Sequence, residues 1–104
     1  MSRPGERIER IRARLIDALA PSELVIEDES HKHAGHAGAR DGRGHFRVRI
    51  VAAAFSGQPL LARHRRVYAA LGQMMQTDIH ALALDTRTPE EIAPEEMKSE
   101  EKNQ

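Results

Sequence analysis

Apolar residues recur near the start of the chain at helical spacing. Ile8, Ile11, Leu15 and Leu19 lie three or four positions apart, which puts them on one stripe and predicts a helix over 6–20. Glu6, Arg10 and Arg14 fall on a polar side, with Glu6 and Arg10 one turn apart. Pro21 ends the segment. Over 22–29 the period drops to two: Leu24 and Ile26 alternate with Glu23, Val25 and Glu27, which predicts a strand. A second strand is expected over 45–53, with Phe46, Val48 and Ile50 on the core and His45, Arg47 and Arg49 facing out. Phe55-Ser56-Gly57-Gln58-Pro59 makes a turn. Helical spacing returns over 60–75, through Leu60, His64, Val67, Leu71 and Met74. A third strand follows over 79–84, where His80 shares the parity of Leu82 and Leu84 and so starts on the core face. Thr88-Pro89-Glu90-Glu91 opens a last helical turn, with Thr as N-cap and Pro at the first position. Helix, strand, strand, helix, strand and short helix make a two-layer α+β sandwich on a three-stranded sheet.

Between the first two strands lies 31–44, HKHAGHAGARDGRG, with four glycines and no large apolar residue. Loops of this length in so small a domain are usually functional or disordered. The chain has 104 residues and no cysteine, which excludes a disulfide scaffold, a thiolate metal site, a cysteine nucleophile and a redox CxxC. No apolar run approaches a membrane span, and MSRPGERIERIRAR at the start has no apolar stretch behind it, so it does not read as a signal peptide. A cytoplasmic protein is therefore expected.

The formal net charge is zero, with 16 basic and 16 acidic residues, but the signs are separated along the chain. The window 42–77 carries six arginines (Arg43, Arg47, Arg49, Arg63, Arg65, Arg66) and no acid. The stretch 88–104 holds six glutamates against two lysines. Residues 94–104 read as a disordered acidic tail behind a domain over 1–93. Arg63, Arg65 and Arg66 are expected to point outward from their helix. With Arg47 and Arg49 they form a candidate anion- or partner-facing surface, although a merely solvated face gives the same pattern.

Histidine is the chemistry on offer, with six in the chain. His31, His33 and His36 form H-x-H-x-x-H in the glycine-rich loop, which suits either a transition-metal site or a solvated flexible segment. His64 lies on the apolar stripe of its helix and reads as a packed residue. His80, at the mouth of a strand, is either structural or able to reach a site at the sheet's rim, and His45 is expected to be exposed. No GxSxG, P-loop, GxGxxG or HExxH is present, nor a base with an orienting partner, and no enzyme activity is expected. A GXXG loop that clamps a nucleic-acid backbone is also missing.

Five stretches in order carry a resemblance. They are Asp28-Glu29-Ser30-His31-Lys32-His33-Ala34-Gly35-His36, His45-Phe46-Arg47-Val48, Phe55-Ser56-Gly57, Arg63-His64-Arg65-Arg66-Val67-Tyr68, and Ile79-His80-Ala81-Leu82 with Thr86 and Thr88-Pro89. Together they resemble the BolA family over roughly 6–92. The resemblance implies an αββαβ, class II KH-like fold with helices on one face of the sheet. It also implies pairing with a CGFS-type monothiol glutaredoxin, either as an apo complex or around a shared [2Fe-2S] cluster. In that arrangement the glutaredoxin and glutathione supply sulfur, and the BolA-like chain supplies a third-strand histidine, here His80, and a loop ligand. The loop ligand is matched best by His33, with His31 and His36 as competitors. A second implied activity is DNA-binding transcriptional regulation of stress response and morphology, through Arg63, Arg65 and Arg66, with Arg47 and Arg49. A chain without cysteine suits the first picture, since imidazole then replaces thiolate and raises the reduction potential of the site.

Overall fold

The computed structural model describes residues 4–30 and 43–92. Helix α1 (Pro4–Leu19) leads into β1 (Glu23–Asp28), and β2 (Gly44–Val51) follows the glycine-rich segment. A 3-10 turn (Ala53–Phe55) precedes α2 (Leu60–Leu71), a single-turn α3 (Met74–Thr77), β3 (Ile79–Arg87) and a second 3-10 turn (Pro89–Glu91). The expected α+β class, element order and three-stranded sheet are all present. The acidic tail and the loop histidines His31, His33 and His36 lie outside the described residues.

The strands stand in the order β1-β2-β3. β1 and β2 are antiparallel, with Leu24 opposite Ile50 and Ile26 opposite Val48. β2 and β3 are parallel, with Phe46 opposite Leu82, Val48 opposite Leu84 and Ile50 opposite Thr86. A parallel pair needs a crossover, and the segment carrying α2 and α3 supplies it. Ile11 and Leu15 of α1, Phe46, Val48 and Ile50 of β2, and Val67 and Leu71 of α2 are buried in one cluster with Phe55, Met74 and Ile79. Each such side chain contributes about 1.5–3 kcal/mol through burial. The helices therefore cover one face of the sheet. The other face presents Glu23, Val25, Glu27 and Arg47, all exposed.

Several sequence expectations shift. The helix expected over 60–75 divides at Gly72, whose φ of 55° is left-handed, and Met74 re-enters the core from α3. Leu60 is 61% exposed rather than on the buried stripe, because the core side of α2 runs through Arg63, Val67 and Leu71. His64 is half-buried. β3 extends past Leu84 to Arg87, where Thr86 takes a buried core position that alternation of apolar residues alone does not reveal.

Gly44 fixes the start of β2. A Cβ there would stand 2.7 Å from the Phe46 ring and 2.8 Å from Ser30 Oγ. Phe46 belongs to the core and cannot retreat freely. Gly44→Ala is therefore expected to cost about 1–3 kcal/mol, read as a lower urea midpoint with an unchanged slope.

Candidate functional site

The site is built where β3 begins. Asp78, just before β3, is 6% exposed and is held by Arg10 and Arg7 of α1 and by the Thr77 hydroxyl, which donates to Asp78 Oδ1 over 2.6 Å. Burial pushes its carboxyl up, but the Thr77 hydroxyl and the two guanidiniums outweigh that and hold it below the usual carboxylate range. The Asp78 carbonyl accepts the Gly44 N–H at 2.8 Å, which ties the first residues of β2 and β3 together.

The register then slips by one. Gly44 pairs with Ile79, but His45 pairs with Ala81, so His80 is an extra residue in β3. The bulge corrects the sequence expectation for this residue. Ile79 and Leu82 both take core-side positions, and His80 is turned out to the exposed rim. His45 is corrected in the opposite sense. It was expected to be exposed, yet it is 8% exposed, with its ring centroid 5.2 Å from that of His80 at an interplanar angle of 53°. The bulge is the reason for both outcomes, since it carries His80 over the outward side of β2 where His45 already points.

Both ends of the glycine-rich segment converge on this pair. Asp28 Oδ1 accepts the Ser30 N–H at 2.9 Å, and Ser30 Oγ accepts the His45 N–H at 3.0 Å. Glu29 N–H donates to the His45 carbonyl at 2.7 Å. At the other end Arg43 Nη2 donates to His80 Nδ1 at 3.1 Å. A shallow groove lined by Glu29, His45, Phe46, Ala81, Leu82 and Ala83 runs away from the pair along the outer face. The small side chains Ala81 and Ala83 leave that groove open.

The donor set bears on metal binding. Among the described residues no three metal-ligating side chains come together. The rim offers imidazole nitrogen and no sulfur. It would thus fit part of a mixed nitrogen and sulfur site, whose remaining donors would have to be supplied by the loop histidines or by another molecule. Sequence reasoning singled out His80 but not its neighbours His45 and Arg43, which the structure brings to it. The His45-Phe46 and Ile79-His80 motifs pointed to the place, but the bulge that joins them leaves no mark in the apolar pattern.

The five arginines do not form one surface. Arg47 and Arg49 lie on the outer sheet face, bridged to Glu29 at 3.2 Å and Glu23 at 2.7 Å. Arg63, Arg65 and Arg66 lie on α2, across the sheet. Arg63 is also not outward-facing. It is 7% exposed, its Nε donates to the Gln58 carbonyl at 2.7 Å, and its fork grips Glu91 at 2.6 and 2.8 Å. Arg66 donates to the Ala54 carbonyl at 2.8 Å, and Arg65 is exposed. The fork and the Thr88 N–H favour the charged form of Glu91 and lower its pKa from 4.5 to about 2. The folded value lies below the unfolded one, so this contribution is complete above 4.5 and is lost as pH falls towards about 2. Thermal midpoints recorded from neutral to strongly acid pH should accordingly fall less steeply in Glu91→Gln than in the wild type.

A small mixed sheet covered on one side by helices, with a histidine rim at the mouth of β3, defines the class. The family model for "BolA-like protein" matches residues 15–91. The chain is 47% identical over 88 residues to Protein BOLA1, chloroplastic, of Arabidopsis thaliana, which covers 82% of this chain and 55% of that protein. It thus spans about half the length of that relative. It is 41% identical over 83 residues to the DNA-binding transcriptional regulator BolA of Escherichia coli (strain K12), covering 80% of this chain and 76% of that one. Among solved structures, the BolA domain of SufE1 from Arabidopsis thaliana superposes with a TM-score of 0.76 at 41% identity, covering 86% of this chain and all of that one. The chain belongs to the BolA-like protein family.

Proposed function

We propose that this chain pairs with a CGFS-type monothiol glutaredoxin and binds a bridging, glutathione-assisted [2Fe-2S] cluster through His80 and the loop histidine His33, in iron-sulfur cluster trafficking or iron and redox sensing. The observation that carries the reading is His80. A bulge turns its imidazole out to the rim, beside both ends of the histidine-bearing segment, in a chain with no cysteine. His33 is three residues beyond Ser30, so its Cα is tethered within about 11 Å of that anchor, whereas His36 has twice that range. His31 is tethered closer still and remains the competitor within reach. A site with two imidazoles is less negative than an all-thiolate one and releases metal as the ligands protonate, which suits transfer or sensing better than permanent storage. In this reading the chain is a cytoplasmic binding partner and not an enzyme. The described residues include no helix long and apolar enough to cross a membrane.

The test is reconstitution with the glutaredoxin, iron, sulfide and glutathione, followed by visible absorption and circular dichroism. Spectra that stay the same in His80→Ala, His33→Ala and the double variant would show that these ligands are wrong.

The second reading, binding of DNA, draws on the name of the Escherichia coli relative and on exposed Arg65. Burial of Arg63 and the split of the remaining arginines between two faces leave few charges to meet phosphates together. Binding should be weak and salt-sensitive. A fluorescence-polarisation titration of duplex DNA at low ionic strength with no saturation would remove this reading.

A further inference from the structure

We propose that Arg43 is a displaceable cap on His80, a cation that competes with any incoming metal for the single lone pair the neutral ring offers. The proposal rests on reading His80 as a ligand, but its test does not need the glutaredoxin. Arg43 Nη2 lies 3.1 Å from His80 Nδ1. A guanidinium only donates, so Nδ1 is the acceptor and the neutral ring carries its proton on Nε2. A metal binding through Nδ1 takes the lone pair that Arg43 holds. A metal binding through Nε2 needs the proton on Nδ1, and an N–H cannot accept from Arg43. Arg43 has to leave in either case before the ring can ligate.

The fold builds this contact. Arg43 adjoins Gly44, whose N–H is bonded to the Asp78 carbonyl two residues before His80. Asp78 is itself held by Arg7 and Arg10 of α1. The bulge then brings His80 out against the guanidinium. The usual outer partner of a metal-bound histidine accepts a proton from the second ring nitrogen and so favours binding. Arg43 offers a donor where that acceptor would be, and its charge persists at any ordinary pH. Arg43 is thus a positioning residue that keeps His80 uncommitted.

Two measurements on the free protein test this. Long-range 1H–15N spectra should show His80 with a bare Nδ1 and a protonated Nε2 in the wild type, and a mixture of tautomers in Arg43→Met. Cobalt(II) added alone, followed by paramagnetic broadening of the His80 ring signals, should bind about three- to tenfold more tightly at His80 in Arg43→Met. Arg43→Lys, which keeps a cationic donor, should restore most of the wild-type weakness. An Nδ1–H tautomer in the wild type, equal cobalt affinity in wild type and Arg43→Met, or no binding at His80 in either would overturn the proposal. Failure of the glutaredoxin pair to form a cluster, with the tautomer and cobalt results as expected, would instead fault the cluster reading alone.

Discussion

Replacing His80 by alanine is expected to abolish the visible absorption and circular dichroism of the reconstituted glutaredoxin heterodimer, while the free protein keeps its fold. His80 is exposed and is the residue that the β2–β3 register skips, with its ring centroid 5.2 Å from that of His45. Its removal takes no side chain from the core, so the stability change should stay within about 0.5 kcal/mol, or roughly 2–4 °C in the thermal midpoint. Loss of colour with that midpoint preserved separates ligation from folding. His80→Cys sharpens the distinction. A thiolate is the commoner ligand for such a cluster, so colour should return, with a lower reduction potential because negative charge is added to the site. A merely structural histidine would not be rescued in that way.

The largest effect on stability should come from Phe55→Ala. Phe55 is fully buried at the end of the first 3-10 turn, within the same cluster as Val67, Leu71 and Ile50. Truncating a buried phenylalanine costs about 3–5 kcal/mol, the sum of lost transfer energy and an unfilled cavity. A domain of this size has only about 5–10 kcal/mol in total, so the thermal midpoint should fall by roughly 12 °C or more. Phe55→Leu retains most of the volume and should recover much of that loss. Denaturation followed by far-ultraviolet circular dichroism reads both variants.

Much of this architecture is visible in the chain because most of the molecule has one buried face. Ile11, Leu15 and Leu19 on α1, and Phe46, Val48 and Ile50 on β2, announce their elements by period alone. The features that escaped are those in which a polar residue does something local. Arg63 occupies a core-side position on α2 because Glu91 and two carbonyls meet its fork, and these partners lie 5 to 28 positions away in sequence. Thr86 sits in the core as a polar residue and so conceals the end of β3. The bulge at His80 has no signature at all. Parity counted from Leu82 and Leu84 puts that ring in the core, and one extra residue in the ladder reverses it. The same extra residue sets His80 beside the buried His45, so one unreadable slip accounts for both misplaced histidines, whereas Arg63 is explained by its own partners. His80 itself was still legible, through the Ile79-His80-Ala81-Leu82 motif rather than through its periodicity.

Pulsed electron paramagnetic resonance on the reduced heterodimer, with 15N-histidine incorporated only into this chain, asks the decisive question directly. Directly bound imidazoles from His80 and a loop histidine should give strong 15N couplings, and His33→Ala should remove one of them. A cluster that forms between the two proteins yet shows no histidine coupling from this chain would contradict the assignment of the rim as its ligand.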